Sequence, residues 1–414
     1  MPPLKLHCPS LLLPPPRSLC AHAKTNTPLC LGARRRHNYS TARHDVQVQC
    51  RSNGEVHLSI LHAQYDPVKP SPILLFLPPG PLTETPPGHQ DTLLRHLHQA
   101  SNATVVSVDY RLTTHTHRFP TPIHDVLTAY DWIVANLAPL PQYSSQRRPH
   151  QARIGVCGEL IGGSLATMLA LTECRMGTHR IVAAAVNNPI VDWIFPSDLQ
   201  QHDADAESEN ASDDFDHVST AFADDGARPN KLKKTPAAHL SSWDRYAANP
   251  ALPSSVLAHA RDSLFPNSDA YFDRFASPVH FFRTPGIEYI VPVKTEDDLA
   301  SELSSEVDEI NELQHVLEKR RRSHRLYPPT GMGLKLPLLS VSLGEESVLR
   351  DQGEELVKLV KRSVIRDARS EDEAGRRVGL TLRPGAGLWS GPFREPDWRE
   401  EVEAIGAWFG RVLS

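Results

Sequence analysis

Hydrophobic positions along the chain alternate between two periods. Val56 to Ala63 reads apolar-polar by turns, the pattern of a half-buried strand. Pro72 to Leu77 is an unbroken apolar run that stops at Pro78-Pro79-Gly80-Pro81, as expected of a strand buried on both faces. Asp91 to Ala100 has helical spacing, and Thr104 to Val108 is a second buried strand ending in Asp109-Tyr110-Arg111-Leu112. A helix over Ile123–Leu137 follows, then a third strand over Arg153–Cys157. That strand runs into Gly158-Glu159-Leu160-Ile161-Gly162-Gly163 and a helix over Ser164–Thr172. Ile181–Val186 predicts a fourth inner strand. After a break, strands over Lys335–Ser342 and Arg377–Leu382 bracket a helix over Leu349–Val364, and Trp398–Leu413 closes the chain as an amphipathic helix. Strand and helix alternate throughout, which predicts an α/β fold with a mostly parallel sheet covered on both faces.

Four segments break the rhythm. Residues 1–44 hold seven Lys or Arg and no Asp or Glu, ending in Arg34-Arg35-Arg36 and then Tyr39-Ser40-Thr41. Acid-poor, Arg- and Ser-containing N-termini have the composition of organellar presequences, so mitochondrial import is expected; a chain without it would be cytoplasmic. Residues 199–235 lose all apolar period. Nine acidic residues and no Lys or Arg lie between Asp203 and Asp225, predicting a disordered acidic insertion. Ser242 to Phe282 is rich in aromatics and predicts a small helical cap, and Thr295–Arg325 is a charged stretch with helical spacing. The expected organisation is a leader 1–44, core 45–198, insertion 199–235, cap and connecting helices 236–330, and core again 331–414.

Charge and cysteine content then exclude several classes. Without the leader, 37 basic residues face 49 acidic ones, a net charge of −12. A surface this acidic does not suit nucleic acid, which is bound through basic counterion displacement. Cys50, Cys157 and Cys174, outside the leader, have neither zinc-site nor disulfide-framework spacing, so no metal and no cofactor is called for. No apolar run approaches the ~18 residues of a membrane span.

Four segments in order carry a family resemblance. They are the apolar strand ending at Pro78-Pro79-Gly80-Pro81; the block Asp109–Leu112, Phe119-Pro120, Asp125 and Trp132; the turn Gly158–Gly163; and Gly344–Gly353 after a strand. Together they resemble the hormone-sensitive-lipase-like carboxylesterases of the α/β-hydrolase fold-3 group, over roughly residues 55–413 apart from the insertion. The resemblance implies an α/β-hydrolase fold with a small helical cap, an ester substrate, and a serine nucleophile lifted on a tight turn reading G-D-S-A-G-G.

The residues at those positions depart from what the chemistry needs. A serine nucleophile needs a histidine to take its proton and a carboxylate to orient that histidine. Leu160 stands where the resemblance places the serine, Ser347 where it places the acid, and Leu388 where it places the histidine; no histidine follows His324. The oxyanion motif H-G-G-G is replaced by Pro78–Pro81, with Pro79 and Gly80 at its centre, and proline has no N–H to donate. Ser164 and Glu346 are the rescue candidates, while Glu159, Ile161, His115 and His117 are expected to border the pocket.

The expectation is therefore a catalytically inactive α/β-hydrolase-fold protein with an apolar pocket that binds a small lipophilic ligand. Plant gibberellin receptors, which resemble the same family, put such a pocket to receptor use. The alternatives are a weak or non-standard carboxylester hydrolase acting on an ester, and a scaffold recruiting a partner through the acidic insertion.

Overall fold

The computed structural model describes residues 43–50, 54–64, 71–138, 152–177, 179–196, 240–285, 323–390 and 398–414. Outside them lie the leader up to Thr41 and Ala42, the acidic insertion 199–235, and nearly all of the charged stretch 295–325.

Eight strands form one sheet in the order β1-β2-β4-β3-β5-β6-β7-β8. These are β1 (Arg43–Gln49), β2 (Glu55–Leu61), β3 (Ile73–Leu77), β4 (Thr104–Asp109), β5 (Ile154–Glu159), β6 (Ile181–Asn187), β7 (Leu338–Gly344) and β8 (Val378–Arg383). β1 and β2 join antiparallel, β2 joins β4 antiparallel, and every other pairing is parallel. This is the doubly covered, mostly parallel sheet that the alternating pattern predicts. β1 went unread, because RHDVQVQ is mostly exposed and carries little apolar signal. Arg43 and His44, assigned by sequence to the leader, belong to this strand.

Alternation inside β3 sends side chains to both faces. Ile73, Leu75 and Leu77 join the larger core with α2 (Thr121–Asn136), α3 (Leu160–Thr172) and α7 (Arg350–Ala368). Leu74 and Phe76 join the smaller one with α1 (His89–Ser101) and α9 (Trp398–Leu413). A strand buried on both faces must be apolar at every position, which is why its sequence shows no period. Gly155 of β5 lies directly under Phe409, so a Cβ there would come within 2.8 Å of that ring.

The remaining helices are short. α4 (Ser242–Arg245), α5 (Ser254–Leu264), α6 (Ser268–Phe272) and a 3₁₀ turn over Pro278–Phe281 form the cap; α8 (Glu371–Arg377) leads into β8 and was not anticipated. Aromatic rings weld the cap to the core. Phe195 stacks on Trp243 at 4.3 Å and Phe119 on Phe265 at 4.3 Å, with Trp193 edge-on to Phe265 at 5.2 Å.

A buried ionic network reinforces that weld. Arg283 donates to Asp192 at 2.7 Å and to Glu355 of α7 at 2.7 Å, and His280 lies 3.5 Å from Asp192. Burial alone would raise the Asp192 carboxyl, but the His280 hydrogen bond and the Arg283 charge outweigh it and hold it below its usual range. Asp192 also accepts from the Ile194 amide at 3.0 Å. Removing one partner of a buried pair leaves the other charge uncompensated, which costs about 3–5 kcal/mol. Asp192→Ala is thus expected to lower unfolding free energy by about that amount in urea denaturation. A loss below about 1 kcal/mol, within the range of exposed ion pairs, would contradict the network's role.

Candidate functional site

The turn after β5 is shaped by close backbone approach. A Cβ on Gly162 would lie 2.2 Å from the carbonyl oxygens of Leu77 and Pro78, and one on Gly158 would lie 2.4 Å from the Gly162 oxygen. Neither position admits a side chain. Between them Leu160 is held at φ 51°, a left-handed backbone that branched and bulky residues rarely adopt. Such a conformation lifts the first helical residue above the sheet. Here the residue lifted is a leucine, with no solvent exposure.

Its surroundings are sealed. Ile161 is fully buried and packs against Gly80, whose Cα faces Ile161 and the Tyr110 hydroxyl. Tyr110 donates to the Pro78 carbonyl at 2.6 Å, and burial pushes its phenol far above the ordinary value, so it stays a donor. The segment Pro78–Gly80 is thus tied back to the residue after β4 through the Pro78 carbonyl. Arg111, next along, donates to Asp125 through its backbone N–H at 2.9 Å, Nε at 3.0 Å and Nη2 at 2.6 Å. The most distinctive sequence block is therefore a clamp between β4 and α2.

Glu159, just before the leucine, is buried and accepts the Trp389 amide at 2.5 Å and the Ser390 amide at 3.0 Å. Asn187 and Asn188, at the end of β6, donate to the Gly387 carbonyl at 2.8 and 3.1 Å, and Asn188 also to Ala386. The loop after β8 is consequently held in place by three polar side chains from β5 and β6. Burial pushes the Glu159 carboxyl up from 4.5 to about 7, although the Ser390 hydroxyl and the Ser390 and Trp389 amides pull it back. The neighbouring Glu401, itself raised by burial, adds to the rise.

That loop forms one wall of a cavity of about 870 Å³, within the range of small-molecule sites. Leu388, Ala386 and Ser390 lie on it; the other walls come from Leu82, Thr83 and Glu84 after β3, from the cap between Arg245 and Val256, and from Glu346. The lining is mainly apolar, with Arg245, Glu84 and Glu346 as its charges.

The site residues expected from sequence are thus divided. Leu388 and Glu346 border the cavity, with Glu346 exposed. Leu160 does not join Leu388 in its lining; it is enclosed in the core below. Glu159 lies behind the wall, not on it, because a buried carboxylate must be spent on donors and the loop amides supply them. Ile161 is core for the same packing reason as Leu160. Ser164 donates to the Ala276 carbonyl of the cap at 3.2 Å, so its hydroxyl is engaged away from the cavity. Ser347 is buried and accepts from the Leu349 amide at 3.2 Å, turning the chain into α7. His115 is exposed, and the half-buried His117 is hydrogen-bonded within its own turn to Thr116 at 3.0 Å; neither lines the cavity. Sequence reasoning missed Thr83, Arg245, Tyr246 and Ser390, since no local motif marks residues that meet only across the fold.

Among the described residues no cluster of three or more His, Cys, Asp or Glu could hold a metal ion, and no helix is long and apolar enough to cross a membrane.

Comparison with known proteins gives the fold a context. A family model described as alpha/beta hydrolase fold matches residues 80–288. The ethyl acetate hydrolase of Pseudomonas putida is 36% identical over 107 residues, 26% of this chain and 31% of that protein. Esterase LipC of Mycobacterium tuberculosis is 30% identical over 150 residues, 36% of this chain and 34% of that protein. The chain thus spans about a third of the length of these curated relatives. Among solved structures, the hyperthermophilic esterase of Pyrobaculum calidifontis superposes with a TM-score of 0.54 at 18% identity, covering 89% of this chain and 83% of that one. Carboxyl esterase 2 of Tuber melanosporum gives 0.52 at 15% identity, covering 92% and 90%. At these identities the structural likeness is one of fold.

The Glu159 carboxyl makes stability depend on pH. A folded-state pKa raised to about 7 from 4.5 means the fold favours the protonated form. That contribution is complete below 4.5, and is lost as pH rises through about 7. At 1.36 kcal/mol per unit it amounts to at most about 3 kcal/mol. Measured by urea denaturation, the stability of wild type minus that of Glu159→Gln is expected to fall by up to that amount between pH 4.5 and 7.5 and then level off. A difference that is flat with pH would show an unperturbed carboxyl.

Proposed function

Since the chain belongs to the alpha/beta hydrolase fold family whose model its residues 80–288 match, and is related to carboxylesterases, we propose that it is a non-hydrolytic member that binds a small lipophilic molecule. The observation that carries this reading is Leu160. At the one position where the fold lifts a side chain for nucleophilic attack, it holds a fully buried hydrocarbon. A nucleophile must offer a lone pair and have a base within reach.

The flanking positions support the same reading. Leu388 brings no proton acceptor to the loop after β8, and Ser347 is occupied as a turn-forming acceptor. Prolines interrupt the amides of the oxyanion segment, and losing a single such donor costs roughly 3 kcal/mol of transition-state stabilisation. What remains is a cavity of ligand size with a mainly apolar wall.

The purified full-length protein is expected to leave p-nitrophenyl butyrate unhydrolysed above the buffer rate and to take up no fluorophosphonate label. Leu160→Ser is expected to stay inactive as well, because Leu388 stands where the resemblance places the base and no histidine follows His324. Stoichiometric labelling of a wild-type serine would overturn the proposal. It would favour the second reading, a weak carboxylester hydrolase, for which the names of the curated relatives speak. We also propose mitochondrial import through residues 1–44, on their basic, acid-free composition. A fusion of that segment to a fluorescent reporter tests it; a reporter left in the cytosol would refute it.

A further inference from the structure

The C-terminal ends of three inner strands carry a polar row on the face that α9 covers. Glu159 of β5, Asn187 of β6 and Ser342 of β7 are partners in the parallel register, so their side chains point to the same side of the sheet. Cys157 and Ala185, two residues back along β5 and β6, belong to the smaller core with α9, which fixes that side. All three polar residues are buried. α9 brings a second carboxylate to the row: Glu401 is buried too, and its charge adds to the rise of Glu159.

The two carboxylates are unequally served. Glu159 takes the Trp389 and Ser390 amides. Glu401 has Arg383 of β8 at 3.8 Å and, among the described residues, no hydrogen-bond partner for its Oε1. Burial raises the Glu401 carboxyl against the pull of Ser342, the Arg383 charge, Trp389 and Asn187. The other groups around the pair bring little charge. Asn187 and Ser342 are neutral, and burial pushes the Cys157 thiol far up, so it stays protonated. α1 brings His89, whose Nε2 lies 2.8 Å from the Trp389 carbonyl. A carbonyl only accepts, so that nitrogen carries a proton, and a neutral ring suffices for the contact.

Like charges in one dry site repel, and burial disfavours each of them. While the pair keeps a proton, a single charge is shared between the two amides and Arg383. When that proton leaves for solvent, burial and repulsion outweigh the amides at Glu159, whose carboxyl is pushed up to about 7. Water is the remaining relief. The strands, α1 and α9 cannot admit it without unfolding, but the end of the loop after β8 can. Trp389 and Ser390 are tied there by the two Glu159 contacts, by His89 and by the Thr83 hydroxyl. Ala386 and Gly387 stay in place, because Asn187 and Asn188, which hold them, do not titrate. The response is therefore confined to Leu388–Ser390, and Leu388 and Ser390 line the cavity.

We propose that Glu159 and Glu401 form a carboxyl pair that keeps the end of this loop closed while it retains one proton and loosens it when that proton is lost, so that the cavity wall responds to pH. The consequence for a ligand rests on the reading of the cavity as a pocket; the response of the loop does not. A ligand that needs the closed wall binds the protonated form more tightly, by as much as the two forms differ in closure.

The test is hydrogen exchange of the full-length protein, read on the peptide that holds Trp389 and Ser390, as protection relative to an unstructured chain at the same pH. Wild-type protection is expected to fall about tenfold between pH 6 and 8.5, the equivalent of one pKa unit. Glu159→Gln should make it flat with pH. Glu401→Gln, which removes the repelling charge, should move the fall to lower pH. Wild-type protection that stays constant over this range would overturn the proposal, whether or not the variants fold. A fall left at its original pH by Glu401→Gln would overturn the pairing. The uncharged dye N-phenyl-1-naphthylamine reads the cavity by fluorescence titration. Wild type is expected to bind it about tenfold more weakly at pH 8.5 than at pH 6, and Glu159→Gln equally at both. Unchanged dye affinity despite lost protection would overturn the link to the cavity. No dye binding at either pH would overturn the pocket reading, while the exchange profile alone decides the response of the loop.

Discussion

A carboxylate withdrawn from water must find donors close by, and Glu159 finds them in the loop on the far side of β7. Its hydrogen bonds to the amides of Trp389 and Ser390 join the end of β5 to the segment after β8. Asn187 and Asn188 fasten the same segment through its carbonyls. Three polar side chains, all buried, therefore decide where Leu388 and Ser390 stand. Without them the loop has no reason to lie over the elbow, and the cavity loses a wall. The Gly162 backbone, pressed against Leu77 and Pro78, supplies the complementary rigidity from below.

These two constraints belong to architecture, while the groups they position decide chemistry. The turn still raises its first helical residue, and the loop after β8 still arrives beside it. The lifted residue is a hydrocarbon enclosed in the core, and the arriving one is a second hydrocarbon lining the cavity. Thr83 and Ser390, whose hydroxyl oxygens lie 3.1 Å apart, bring polar groups to the cavity wall. A fold whose backbone is over-determined can change its surface chemistry without changing its shape.

Much of the sheet was legible because central strands carry a strong signal: β3 is apolar at five successive positions, and Gly-Pro clusters mark where it ends. β1 was not, since a two-stranded edge exposed to water can be built from RHDVQVQ with one buried valine, Val48. The elbow was legible from its glycines, because the close approach they permit leaves no alternative residue. The cavity was not. Thr83 and Ser390 are 307 positions apart, and each is an unremarkable hydroxyl in its own segment. The same holds for Asp192, His280 and Arg283, which read as scattered charges until the cap folds back. Local pattern specifies elements; which polar side chains meet is settled only by how those elements pack.

That cap network bears on how anything enters the cavity. Asp192, Arg283 and Glu355 tie the loop after β6, the cap and α7 together, and the stacked Phe195 and Trp243 rings add to that seam. A lid that swings would have to break a desolvated ion pair at every opening. A ligand of the kind proposed would therefore exchange through a standing mouth, at a rate set by diffusion and by its own departure. Its residence time would then follow from its fit.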